Sequence, residues 1–117
     1  PMKPWKLCLK IAEMVMEEYF NQGDREKEAD MPVQMLNDRN KVNKPNSQIG
    51  FIEFLIAPMV ETFVKVFPGI HFLSENLVNN LETWLSVWIH ESQPDEEEIE
   101  KTKSRVENVV KTLNVSF

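Results

Sequence analysis

Gln48 and Phe51 are the two side chains whose types and spacing could do chemistry together, in the stretch SQIGF at residues 47–51. Residues three apart on a helix share a face. A Gln amide offers a donor and an acceptor side by side, which matches the edge of a purine base. An aromatic ring one turn away can stack on the same base, and Gly50 permits close approach. The pattern alone nevertheless favours a plainer interpretation, a Gln near a helix N-terminus and a core Phe.

The remaining polar residues predict no catalytic centre. His71 and His90 have no metal-ligand neighbour at useful spacing, and no metalloprotease, Cys-pair, phosphate-loop or Ser-elbow motif occurs in the chain. Glu17 and Glu18 are adjacent, so on a helix they face different ways. The charge run at residues 24–27 is typical of a solvated turn with local ion pairs.

Composition restricts the classes of partner. The chain has 117 residues, enough for one domain with a modest core, and a net charge of -6. Because nucleic-acid and anionic-membrane binders usually carry clustered basic residues, we expect neither partner. The most apolar run, residues 51–67, contains three charged residues and does not suit a membrane span. The lone Cys8 predicts a buried thiol and favours a reducing, cytoplasmic compartment.

The elements that must position these residues are about five helices, and the predicted fold class is all-α. Pro4 suits the start of the first helix, which is expected to end at residue 21 or 22. Gly23 would stop it, and Asp24 would cap a further short turn. Residues 30–46 have no sustained period and predict a long loop, of a length that is usually functional or disordered. Its apolar residues, expected to fold back in part, are Val33, Met35 and Leu36.

Three helices are predicted after this loop. Ser47 would cap the first, Pro58 would kink it, and Pro68 would end it. Ser74 would open the next. The last carries a narrow apolar seam that either packs back on the domain, which we favour, or pairs with another helix. The broad stripe predicted on the first of these helices comprises Phe51, Phe54, Leu55, Met59, Thr62, Phe63, Val66 and Phe67. The seam comprises Ile99, Val106, Val109, Val110 and Leu113.

Several blocks of the sequence resemble one known family when taken in order. They are KPW at residues 3–5, KIAEMVMEEYFNQGDREKE at 10–28, LNDRNK at 36–41, SQIGFIEF at 47–54 and the P-x-x-E-T motif at 58–62. Together they resemble the C-terminal third of the catalytic domain of class I cyclic-nucleotide phosphodiesterases, over about residues 3–90. The blocks are most similar to the cGMP-specific subfamilies. The family fold is all-α, so the resemblance implies that these helices form the C-terminal part of a larger helical domain.

The resemblance also implies roles for individual residues. Gln48 matches the glutamine that hydrogen-bonds the purine, and Phe51 matches the ring that stacks on it. Leu36 falls on the mobile loop that closes the pocket, which would span residues 24–47. Pocket-wall positions on the preceding helix are matched by Ala12, Val15, Met16 and Tyr19. Preference for cAMP or cGMP stays open, because the amide can present either edge.

The hydrolytic half of the family's reaction has no counterpart in the chain. The reaction implies two divalent metals, zinc and magnesium, whose ligands would all lie upstream of Pro1. We expect the chain, which does not begin with Met, to be a piece of a longer protein. Residues 1–91 would form a subdomain that packs on the upstream part, and residues 92–117 an additional helix that could mediate a dimer. The parent protein could be membrane-attached. A non-enzymatic helical interaction module on the same scaffold is the alternative.

Overall fold

The computed structural model describes residues 1–114, which form helices joined by turns and contain no strand. The α-helices are α1 (Trp5–Glu28), α2 (Lys44–Phe51), α3 (Ala57–Val66), α4 (Phe72–Ser92) and α5 (Glu96–Leu113). A π-helical turn, Ile52–Ile56, joins α2 to α3, and a 3-10 turn, Pro68–Ile70, precedes α4. The all-α prediction is confirmed. None of the helices in the described part of the chain is long and apolar enough to cross a membrane.

Helix α1 begins after Pro4 as predicted but runs past Gly23, so the predicted stop there and the Asp24 cap were wrong. Gly23 is buried, and a Cβ added to it would lie 1.9 Å from the carbonyl oxygen of Asn37. The absence of a side chain at Gly23 thus lets the backbone of α1 contact the backbone at Asn37. The helix ends at Glu28, two residues before Asp30, whose φ is 54°, and the Met31 N–H donates to the Glu26 carbonyl at 2.8 Å. This is a Schellman cap with Asp in the left-handed position.

The irregular segment covers residues 29–43 and is shorter than the predicted 24–47. Helix α2 begins at Lys44, and its cap is Asn43 rather than the predicted Ser47. The Asn43 side-chain oxygen accepts from the Asn46 N–H at 3.0 Å. Pro45 occupies the first turn, where its missing N–H costs nothing, so it starts the helix instead of prolonging the loop.

The irregularity predicted at Pro58 takes the form of the π turn directly before it. Pro58 has no N–H to donate to the carbonyl four residues earlier. In the π turn the Ala57 N–H donates to the Ile52 carbonyl, five residues back, and the chain then continues into α3. The helical segment ends just before Pro68, as predicted.

The broad stripe predicted on this segment is exposed. Phe54 is 74% exposed and Phe63 46%, whereas the opposite face is buried in the core. The buried residues of that face are Ile49, Ile52, Ile56, Ala57 and Val60. Because both faces are apolar, the periodicity could not tell which one packs within the chain. The extra residue of the π turn also changes the phase between α2 and α3.

Helix α4 is the centre of the fold, and all four other α-helices pack against it. It starts two residues before the predicted Ser74. Leu77 and Leu81 are fully buried, and Trp84 packs edge-on against Trp5 of α1, with ring centroids 4.9 Å apart. The central position of α4 explains why Leu77, Val78, Leu81, Trp84 and Trp88 are all buried on it.

Helix α5 packs on its own chain, the arrangement that the sequence favoured. It begins with a capping box in which the Asp95 carboxylate accepts from the Glu98 N–H at 2.8 Å. Its inward face contacts α3, α4 and the π turn. The buried residues on that face are Thr102, Val106, Val109 and Leu113. The predicted helix reached residue 117, and residues 115–117 lie outside the described part.

Candidate functional site

A groove of about 320 Å³ lies between α1, the segment 29–43 and α2. All seven residues that the sequence singled out line it. They are Ala12, Val15, Met16 and Tyr19 on α1, Leu36 on the segment, and Gln48 and Phe51 on α2. The structure thus brings together side chains that are up to 39 positions apart in the sequence, since Ala12 and Phe51 meet in one groove.

The groove has a buried floor and an exposed rim. Ala12 and Met16 are buried at its base, whereas Val15, Tyr19 and Phe51 are between 41% and 49% exposed. Gln48 is half-buried. Because α2 is α-helical from Lys44 through Phe51, Gln48 and Phe51 share a face, as their spacing predicted. An amide and an aromatic ring therefore border the same apolar space.

Two other hollows, of about 500 and 700 Å³, are larger but less site-like. The first is lined by α1 alone, and the second by residues 33–47 alone. Of these three hollows, the groove is the one that combines three elements with a mainly apolar lining and a polar amide. Ligand sites in proteins typically have this composition.

Sequence reasoning missed several groove residues. They are Pro1, Cys8, Ile11, Phe20, Val42 and Ser47. Helical spacing contains the signal for two of them, because Cys8 and Ile11 precede Ala12 and Val15 by four positions on the same face of α1. Cys8 is buried, as predicted. Val42 carries no comparable signal, since its place depends on the path of an irregular segment.

The segment 29–43 is fixed to α1 through polar residues, whereas its apolar residues were expected to fold back. Asn37 and Asp38 are buried, while Met35 is 84% exposed and Leu36 54%. The Asn37 backbone lies against Gly23, and its side-chain amide donates to the Glu26 carboxylate at 3.1 Å. The segment folds back on the body in part, as expected, but mainly through Asn37 and Asp38, while Met35 and Leu36 stay exposed.

Arg39 joins the segment to α1 by hydrogen bonds to Glu17, Asn21 and Asp24. We call these four residues the Arg39 clasp. Arg39 Nη2 donates to Asp24 Oδ2 at 2.8 Å and to Glu17 Oε1 at 3.2 Å. Its guanidinium carbon also lies 5.5 Å from the centre of the Phe20 ring. Because the Arg39 guanidinium contacts two carboxylates and an aromatic ring, its orientation is fixed. A single exposed ion pair does not fix the orientation of its side chains in this way.

The carboxylates of this region have lowered pKa values. The hydrogen bonds from Arg39 lower the pKa of Asp24, and the hydrogen bond from Lys27, at 2.9 Å, lowers that of Asp38. The Gln22 side chain is the main cause of the lowered pKa of Glu26. The hydrogen bonds of Arg39 to Asp24 and Glu17 raise the pKa of its guanidinium. The charged forms therefore hold the segment in place.

Residues 1–114 do not fit a metal ion. No group of three or more His, Cys, Asp or Glu side chains within them could hold one. His71 lies at the start of α4, 3.9 Å from Glu75, and His90 lies in the last turn of that helix. The arrangement can bind and orient a flat, partly apolar molecule, and none of its groups is placed to break a bond.

Comparison with known proteins identifies the family of this chain. The model of the 3'5'-cyclic nucleotide phosphodiesterase family matches residues 1–77. The chain is 50% identical over 66 residues to the mouse high affinity cGMP-specific 3',5'-cyclic phosphodiesterase 9A, covering 56% of this chain and 11% of that protein. No solved structure shows a significant match.

Two further relatives are named for cAMP. Identity is 38% over 81 residues to the 3',5'-cyclic-AMP phosphodiesterase 4 of Dictyostelium discoideum, covering 69% of this chain and 8% of the relative. It is 33% over 103 residues to the probable 3',5'-cyclic-AMP phosphodiesterase pde-4 of Caenorhabditis elegans, covering 87% of this chain and 14% of the relative. The chain spans roughly a tenth of the length of these curated relatives. Since the family model matches 77 of its 117 residues, the chain belongs to the 3'5'-cyclic nucleotide phosphodiesterase family.

Proposed function

We propose that the groove binds the purine of a cyclic nucleotide, as the base-recognising part of a phosphodiesterase catalytic domain. One observation carries the proposal. The seven residues to which family resemblance gives a role in base recognition all line one groove of about 320 Å³, which is large enough for a base. The substrate of the parent protein is then cGMP or cAMP, the nucleotides for which its relatives are named.

Each groove residue has a defined task in this proposal. The Gln48 amide hydrogen-bonds the edge of the purine, and the Phe51 ring stacks on its face. Val15 and Tyr19 form the wall opposite, above the floor of Ala12 and Met16. Leu36 contributes the edge that closes over the base, since it is half-exposed on a segment held by the Arg39 clasp.

Cleavage of the phosphodiester belongs to the parent protein rather than to these residues. The proposal includes two divalent metals, zinc and magnesium, which would supply an activated hydroxide and would be held outside this chain. We assign no residue of the chain a catalytic role, because the described residues do not fit a metal. Their contribution is to hold the base and so orient the cyclic phosphate.

The upstream part of the same catalytic domain is the proposed partner of two exposed apolar faces. One lies on α1 and includes Leu7, Ile11 and Met14, and the other lies on α3 and includes Phe63 and Val66. Contiguous exposed apolar surface of this kind marks an interaction site. A dimer through α5 is less well supported, because the seam that would form it is covered by α3 and α4. We place the assembled domain in the cytoplasm, in keeping with the single, unpaired cysteine of this chain.

The proposal is tested with Gln48→Ala in the parent protein. Loss of the partner of a buried polar group costs about 1–3 kcal/mol, so KM for the cyclic nucleotide should rise roughly tenfold or more. Asn46→Ala is the matched control, because it also removes an amide from α2 but from a residue that is exposed and outside the groove.

The measurement is KM and kcat with both cAMP and cGMP. Unchanged KM for both nucleotides in Gln48→Ala would refute base recognition by this groove. A parent protein that hydrolyses neither nucleotide would favour the alternative, a non-enzymatic interaction module built on the same scaffold.

A further inference from the structure

Helix α5 makes a charged contact with the π turn that follows the groove. Arg105 of α5 donates from Nε to Glu53 Oε2 at 2.9 Å and from Nη2 to the same oxygen at 2.5 Å. The side chains are 32% and 19% exposed, so the pair is partly withdrawn from water. The guanidinium carbon also lies 6.0 Å from the centre of the Phe54 ring. These two contacts orient Arg105 against the turn, and we call the Arg105–Glu53 pair the α5 latch.

The π turn held by this latch directly follows α2, the helix that carries Gln48 and Phe51. Glu53 follows Phe51 by two residues and Gln48 by five, and Ile52 and Ile56 of the same turn are buried in the core. A π turn is a rare geometry with less favourable hydrogen bonding, so tertiary contacts must stabilise it. Because the turn is continuous with α2, a shift of its backbone would be transmitted to α2 and thereby to the direction of the Gln48 and Phe51 side chains.

The α5 side of the latch is fixed independently. The capping box at Asp95 sets where the helix begins, and Thr102, Val106 and Val109 are buried on the same helix. Arg105 therefore projects from a rigid element. The family model ends at Leu77, so its match includes Glu53 but not the helix that carries Arg105.

We propose that Arg105 is a positioning residue for nucleotide binding, acting through Glu53 on the π turn and hence on Gln48 and Phe51. This inference rests on the proposed function of the groove. It makes α5 a determinant of affinity for the base although α5 contributes no residue to the groove. A contact that displaces α5 would then weaken nucleotide binding without touching the site.

The test compares four variants of the parent protein: Arg105→Glu, Arg105→Gln, the swapped pair Glu53→Arg with Arg105→Glu, and Lys103→Glu. Lys103→Glu is the matched control, because it makes the same charge change at an exposed position of α5. Arg105→Glu should raise KM for the cyclic nucleotide by about three- to tenfold with kcat changed less than about twofold, since binding rather than chemistry is disturbed.

The swapped pair should return KM to within about twofold of the wild type, because it restores the attraction with its direction reversed. If Arg105→Glu does not fold, Arg105→Gln is judged by the same criterion. Melting temperatures are measured for every variant. A lowered melting temperature with unchanged KM would overturn the inference, since the latch would then serve folding alone.

Gln48→Ala, measured in the same preparations, separates this inference from the proposed function. If Gln48→Ala raises KM and the latch variants do not, the groove binds the base and the latch inference alone is overturned. If Gln48→Ala leaves KM unchanged, the proposed function falls, and the inference with it. An equal rise of KM in Lys103→Glu would also overturn the inference, because the effect would then be one of net charge.

Discussion

Phe51 illustrates what a single residue can show about this site. Its ring is 41% exposed at the rim of the groove although it belongs to an apolar run that reads as core. The buried residues next to it are Ile49 and Ile52, so the helix turns an aliphatic face to the core and the aromatic ring to the groove. The ring and the half-buried Gln48 amide thus border the same groove, which is the arrangement that stacking and edge recognition of a flat ligand require.

We expect Phe51→Ala to raise KM of the parent protein for its cyclic nucleotide roughly tenfold, because stacking of a base on a ring contributes about 1–3 kcal/mol. Phe51→Tyr keeps the ring and should stay within about threefold of the wild type. The measurement is steady-state kinetics with both nucleotides. Equal KM values for Phe51→Ala and wild type would mean that the ring does not stack on the base.

At the scale of the element, the segment 29–43 positions Leu36 at the groove without burying it. Leu36 stays half-exposed over the groove, while its neighbours Asn37 and Asp38 fix the backbone on α1. The attachment combines close backbone packing at Gly23 with the Arg39 clasp. The close packing predicts that a side chain added at Gly23 lowers stability. The Arg39 clasp predicts that stability depends on pH.

Gly23→Ala should destabilise the chain by roughly 1–3 kcal/mol, because its Cβ would overlap the Asn37 carbonyl and force the segment outward. Gly50→Ala is the control within a helix. A Cβ there meets no heavy atom of the described residues within 4 Å, so we expect a stabilisation of about 0.5–1 kcal/mol. Denaturant unfolding measures both. Similar effects of the two substitutions would show that the close approach at Gly23 is unimportant.

The pH dependence of stability follows from the lowered pKa values of Asp24, Glu26 and Asp38. A carboxyl whose pKa is lower in the folded chain contributes stability above its ordinary value, and this contribution is lost as pH falls through the folded pKa. The ordinary values are 3.8 for Asp and 4.5 for Glu. We therefore expect the melting temperature to fall as the pH drops below 4.5.

Arg39→Gln removes the main cause of the lowered pKa of Asp24, so its melting temperature should fall less steeply with acid than that of the wild type. Lys103→Gln, at an exposed position of α5, controls for the loss of one positive charge. Thermal melts between about pH 6 and pH 3 provide the comparison. Parallel curves for Arg39→Gln and wild type would contradict a role of the clasp in holding the segment.

At the scale of the whole molecule, the chain has a complete core around α4 and also leaves two apolar faces exposed. The core explains how residues 1–114 can hold a groove in shape. The exposed faces on α1 and α3 explain why we expect function only in the parent protein. Under the proposed function, these faces pack against the upstream part of the catalytic domain.

Phe63→Glu tests the α3 face. Phe63 is 46% exposed, so the substitution should change the unfolding free energy of this chain by less than about 0.5 kcal/mol, yet a charge on the face should abolish packing against the upstream part. Activity of the parent protein should fall by at least about tenfold. Lys101→Glu, exposed on α5, should leave both quantities unchanged. Full activity of Phe63→Glu would show that the face has another use.

The sequence by itself determined the helical class and the seven residues of the candidate groove. Helical periods and caps are local, so α4 and α5 could be placed within a few residues, and the spacing of Gln48 and Phe51 implied one face. Resemblance in the ordered blocks added the wall residues on α1 and Leu36. These features can be predicted without the fold because each depends on residues that lie near one another along the chain.

Only the tertiary structure decided the remaining features. Gly23 reads as a helix stop, and its true role depends on Asn37, which crosses it from another element. Both the exposed and the buried face of α3 carry apolar residues, so only the packing on α4 and α5 distinguishes them. The α5 latch joins Glu53 to Arg105 across 52 positions of sequence. Each of these depends on which elements meet in space, and no local pattern contains that information.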